Sequence, residues 1–121
     1  MLRTTPLPPM DRPTTDELVI RYRLISLRAL RALREVDYAG AACTRTDPEA
    51  FSPQASPLRD QPNRGERQAL RVCAGCPVQD LCLVRGVREA KSVFDLKGVR
   101  AGLRQSEQRA LYLELQRLEL L

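Results

Sequence analysis

Leu18, Tyr22, Ile25, Ala29, Leu33 and Val36 recur at intervals of three or four, which predicts one amphipathic helix with a continuous apolar stripe. Thr14-x-x-Glu17 marks its start as a capping box, so the helix is expected over 14–36. Ile20, Leu24 and Leu27 fall near the opposite side, mixed with Arg23, Arg31 and Arg34. That side reads either as a solvated face or as a surface for phosphate or a partner. Residues 37–62 carry Gly40, Asp47-Pro48, Ser52-Pro53, Ser56-Pro57 and Gln61-Pro62 and read as irregular. Asn63 with Glu66 predicts a second helix running into Cys73. Pro77 is placed at the first position of a third, where no amide donor is required, and that helix is expected to last to about Lys91. Gly98 and Gly102 imply a turn or short hairpin. From Ser106 a last helix is expected, with Leu111, Leu115 and Leu118 on one side. The pattern as a whole is that of a small all-α protein.

Composition agrees with that reading. Hydrophobic residues make up 43% of the 121 positions but aromatic residues only 4%, so the core has to be built from Leu, Val and Ala, which suits helices better than sheet. A chain of this length buries a limited fraction of its surface, and a metal staple would stabilise it substantially. Pro6, Pro8, Pro9 and Pro13 make residues 1–13 a Pro-rich leader, expected to be mobile. The start lacks the apolar stretch of a secretory signal, and Arg interrupts every Leu-rich run, so neither export nor a bilayer span is expected and the protein reads as cytoplasmic. The net charge of +5 is spread unevenly, with residues 83–121 carrying eight Lys/Arg against five acids. Such an excess is compatible with nucleic-acid contact.

The chain has four cysteines and no histidine, arranged as Cys43-x29-Cys73-x2-Cys76-x5-Cys82. Two residues between Cys73 and Cys76 let both thiols turn toward one centre, and Gly75 is expected to relieve backbone crowding there. In a chain without export features these are better read as metal ligands or redox groups than as a permanent disulfide framework. Spacing leaves three readings open: a structural zinc site, a four-cysteine iron–sulfur cluster, or a thiol–disulfide protein using Cys73 and Cys76. Catalysis is not expected, because no histidine exists and no acid–base pair stands out.

The flanking residues narrow the choice. Cys43 is followed by Asp47-Pro48-Glu49-Ala50-Phe51-Ser52-Pro53, and Val72-Cys73-Ala74-Gly75-Cys76-Pro77-Val78 by Cys82-Leu83. With Gly98-Val99-Arg100-Ala101-Gly102, these segments resemble, in order and spacing, the WhiB-like family of actinobacterial and actinophage iron–sulfur regulators. The resemblance covers residues 42–111. It implies a helical domain wrapped around a 4Fe-4S cluster held by Cys43, Cys73, Cys76 and Cys82, here spanning 37–121 behind the extra N-terminal helix. It further implies a redox- or nitric-oxide-responsive transcriptional regulator that binds the C-terminal region of the principal sigma factor, promoter DNA, or both. Phe51, Gly98, Val99, Arg100 and Gly102 would belong to the sigma-facing surface. Arg100 stands where the family's turn usually carries Trp, Ala101 where it has Gly, and Ser52 where it has a second Phe.

Overall fold

The computed structural model describes residues 10–29, 48–51 and 61–121. The described residues form four α-helices: α1 (Thr15–Ala29), α2 (Arg64–Ala74), α3 (Gln79–Glu89) and α4 (Gln105–Arg117). One-turn 3-10 pieces lie at Pro48–Phe51 and Val93–Asp95. No strand occurs among the described residues; the one ladder contact there is an isolated antiparallel bridge between Arg100 and Leu103.

Helix α1 starts where the cap signal lies: the Glu17 amide donates to the Thr14 hydroxyl at 3.2 Å, and Asp16 and Glu17 sit at the positive end of the helix dipole. Leu18 and Tyr22 of the apolar stripe are buried, Ile25 packs at the edge of the core, and Val19, outside the stripe, is buried beside them. The stretch beyond Ala29, with Leu33 and Val36, lies outside the described residues. Ile20 and Leu24 remain exposed.

Helix α2 opens on a complete capping box. Asn63 accepts from the Glu66 amide at 2.8 Å, and Glu66 accepts from the Asn63 amide at 3.0 Å. Helix α3 begins at Gln79 and not at Pro77, and ends at Glu89, short of Lys91. The shift has a local cause: the Gln79 amide bonds to the Cys76 carbonyl at 3.3 Å, closing a turn over Pro77 before the first α-type bond, Cys82 to Val78 at 2.9 Å. In α4, Leu111 and Leu115 are fully buried, whereas Leu118 caps the helix and is 40% exposed, so the expected three-leucine face is one residue shorter.

Helix α1 packs on α3 and α4. Leu18 and Tyr22 meet Leu83, Val84 and Val87 of α3 and Leu111 and Leu115 of α4 in the main core. A second, smaller cluster joins Ala69, Leu70 and Cys73 of α2 to Val99, with Met10 and Phe51 packed against it.

Between the two clusters runs a polar framework. Arg104 and Glu66 form an ion pair at 3.1 Å with both side chains 4% exposed, which fixes the start of α4 against the start of α2. Glu107 accepts from the Arg104 amide at 2.8 Å and pairs with Arg12 through both guanidinium contacts, at 2.6 and 2.9 Å. Arg12 also donates to the Gly102 carbonyl at 2.8 Å. The chain N-terminal to α1 is thereby tied to the loop that precedes α4.

Candidate metal centre

Cys73 occupies the last turn of α2 and is buried, with its Cβ side turned toward the small apolar cluster. The Cys76 amide donates to the Cys73 carbonyl at 3.0 Å, so the chain folds back on itself between the two cysteines. Cys76 is half-buried in that turn, and Cys82 is half-buried in the first turns of α3, at the edge of the main core. Cys43 lies outside the described residues. Among the described residues no three His, Cys, Asp or Glu side chains are drawn together as a group that could hold a metal ion. The structure therefore brings Cys73 and Cys76 to one turn and sets Cys82 one helical step beyond it. Gly75 does not relieve crowding: its φ is −95°, and a Cβ built there meets no atom within 4 Å. Any small residue would fit at that position.

Thiols are the donors that soft metals and iron–sulfur clusters take. Thiols are the candidate ligands in a chain without histidine, and two of the three described cysteines keep partial access to solvent. The residues present fit such a group in donor type.

The loop before α4 is built tightly against this region. The Arg100 amide donates to the Leu103 carbonyl at 3.0 Å and the Leu103 amide to the Arg100 carbonyl at 2.9 Å. With φ of 55° at Ala101 and 74° at Gly102, this is a two-residue turn of the I′ kind. A side chain at Gly102 would have to push Gln79 aside, since a Cβ would lie 2.3 Å from the Gln79 side-chain nitrogen and 3.9 Å from the Cys73 Cβ. Gln105 and Gln108 clamp the loop from α4: Gln105 accepts from the Gly98 amide at 3.1 Å, and Gln108 donates to the Gly98 carbonyl at 2.9 Å. Val99 is buried, and its amide donates to the Phe51 carbonyl at 2.8 Å. Phe51, Val99, Gly102 and Cys73 thus lie in one neighbourhood. Arg100 is exposed, and its side chain lies across Gly86 of α3, 3.3 to 3.5 Å from where a Cβ would stand. Gly86 leaves the room for it.

Sequence pattern gave no sign of several residues that complete this neighbourhood. Arg12, Glu107, Gln79, Gln105 and Gln108 act through polar contacts between distant segments, and Arg21 of α1 reaches the Asp80 carboxylate and the Gln79 side chain. Hydrophobic periodicity carries no signal for such contacts.

The family described as Transcription factor WhiB matches residues 38–111. Transcriptional regulator WhiB2 of Mycolicibacterium smegmatis is 35% identical over 71 residues, which is 59% of this chain and 46% of that protein. A second WhiB2 sequence from the same species matches to the same extent. The chain spans a little under half the length of these curated relatives. No solved structure matches the chain.

Proposed function

Because the chain belongs to the WhiB transcription factor family, we propose that it is a cytoplasmic transcriptional regulator whose Cys43, Cys73, Cys76 and Cys82 hold a 4Fe-4S cluster. Its partners in this reading are the C-terminal region of the principal sigma factor and promoter DNA, and it responds to redox state or nitric oxide. The observation that carries the reading is the shared cluster of Cys73, Val99 and Phe51. A change at Cys73 would reach Phe51 and the Gly98–Gly102 turn, the residues expected on the sigma-facing surface, through this contact.

When bound, a cluster of this kind supplies one-electron redox chemistry and a site of attack for oxygen and nitric oxide. The chain's own residues do the rest. Cys73 anchors the end of α2 in apolar surroundings, and Cys76 and Cys82 keep the half-open positions. Gly102 lets the turn approach Cys73 closely, and the paired glutamines of α4 hold that turn in register. Arg100 presents a guanidinium from the turn, so the partner surface it meets has to offer acceptors or carboxylates and not an apolar pocket alone. No helix of the described residues is long and apolar enough to cross a membrane.

Anaerobic purification of the full chain tests the ligand set. A brown protein with about four irons per chain is expected, and Cys43→Ser, Cys73→Ser, Cys76→Ser and Cys82→Ser should each abolish the visible chromophore. One stoichiometric zinc and no visible absorption would replace the cluster with a structural site. Retention of the cluster in Cys43→Ser would remove that residue from the set. Pull-down of the purified sigma region by wild type and by Phe51→Ala then tests the partner.

A further inference from the structure

Phe94 is the most exposed large hydrophobic side chain among the described residues, at 68%. It is not exposed because its loop is loose. The Lys91 and Ser92 amides both donate to the Asp95 carboxylate, at 2.8 and 3.3 Å, and the Phe94 amide donates to the Ser92 hydroxyl at 3.3 Å. The Asp95 and Leu96 amides close the turn onto the Ser92 and Val93 carbonyls. On either side, Leu96 is buried in the main core and Val93 packs against it. The chain therefore holds one aromatic ring out into water on a hydrogen-bonded turn, at a cost in hydrophobic free energy that a single exposed cation–π contact offsets only in part.

The surroundings of that ring are cationic. The Arg109 guanidinium lies 5.6 Å from the Phe94 ring centroid while its Nε donates to the Leu96 carbonyl at 3.0 Å. Lys91 and Lys97 are exposed and stand three residues to either side of Phe94, within about 10 Å even on an extended chain. None of these three cations has an ion-pair partner among the described residues. Residues 85–109 carry seven Lys/Arg against three acids, so most of the chain's net charge of +5 falls here. Those acids are already committed: Glu89 to Arg85, Glu107 to Arg12, and Asp95 to the backbone of its own turn.

We propose that Phe94, with Lys91, Lys97 and Arg109, forms a platform for single-stranded nucleic acid. Unpaired bases stack on the ring, and the three cations contact the flanking phosphates. A rigid exposed aromatic with a guanidinium against it offers a π-face to any base, and this mode is tolerant of sequence. In a duplex the same ring would reach a base face only by unstacking a step, so the arrangement favours a strand already open. An acidic peptide would satisfy the cations but has no use for the presented ring. The platform extends the proposed regulatory role and needs neither cluster nor sigma factor, so its failure leaves the reading of the cysteines untouched.

Fluorescence anisotropy of the full chain with a labelled thymidine oligonucleotide of about 12 nucleotides tests it. Log affinity should fall with log salt with a slope of about −2, some 0.7 for each of three cations. Phe94→Ala should weaken binding about tenfold at unchanged salt slope, and Phe94→Trp should restore it. Lys97→Ala should lower the slope by about 0.7, whereas Arg23→Ala on α1, with a matched loss of charge, should leave affinity within about twofold. Circular dichroism melts confirm that each variant is folded. Three results would overturn the proposal: no binding up to about 100 µM protein at low salt, an unchanged affinity in Phe94→Ala, or binding to a duplex or to polyglutamate as tight as to the open strand.

Discussion

Arg104→Met removes one half of the ion pair that joins the starts of α2 and α4. Both side chains are 4% exposed, so Glu66 would be left as a buried carboxylate facing a thioether. Truncating one partner of a buried pair costs about 3–5 kcal/mol. Here the lower end applies, because Glu66 keeps its bond from the Asn63 amide at 3.0 Å and the second contact to Arg104 is long, at 3.5 Å. For a chain of this size the total stability is on the order of 6–18 kcal/mol, so the variant should fold but lose a large share of its margin. Glu66→Gln keeps the cap and an acceptor for Arg104 and should cost about 1.5–3 kcal/mol, the worth of a charge-assisted hydrogen bond. The double variant removes both charges together, so its cost should fall short of the sum by about 2 kcal/mol. Urea denaturation of the four proteins in one metal state, with equal m-values, measures the cycle. A loss below about 1 kcal/mol in Arg104→Met, or strict additivity in the double variant, would show that the pair is not the clamp described above.

Gly102→Ala should destabilise the fold by about 1–2 kcal/mol, chiefly because φ of 74° is left-handed; the Gln79 amide at 2.3 Å is the end of a flexible side chain and can swing aside. Gln79→Ala in the same background should recover little in a urea titration, and full recovery would assign the cost to the clash instead. Arg117 holds the Glu114 carboxyl below the ordinary carboxylate range, mainly through their hydrogen bond. A depressed folded value means that the contribution is present above the unfolded value and lost as pH falls through the folded one. Because the pair sits at the surface, with Arg117 exposed and Glu114 half-buried, the expected result is a low Glu114 midpoint by NMR titration, moved upward by Arg117→Ala, with little change in melting temperature.

How much of this was legible in the sequence depends on the kind of signal. Period and cap residues located all four helices, since Thr14, Asn63 and the leucine spacings act within a turn or two of themselves. They misplaced the start of α3, because Pro77 suits both a first helical position and the tight turn it occupies, and the choice is made by the Cys76 carbonyl. The cysteine pattern and its flanking motifs were legible as a family pattern. Their assembly was not: Arg12 meets Glu107 across 95 residues, and Met10 meets the Phe51 and Val99 cluster, contacts without a local signature. The Cys-x-x-Cys spacing suggests that Gly75 relieves backbone crowding, yet the structure leaves open space there, while Gly86, which carries no such signal, makes the room for Arg100.

The packing of α1 on α4 also dictates the order in which the protein can form. Leu18 and Tyr22 leave the ribosome long before Leu111 and Leu115, which help to cover them. Closing so long a span is slow, since the loop-closure entropy falls due before the contact gives anything back. Until α4 emerges, α1 has only α3 to pack on, and half of its apolar stripe stays uncovered. The core therefore closes only when α4 docks on α1.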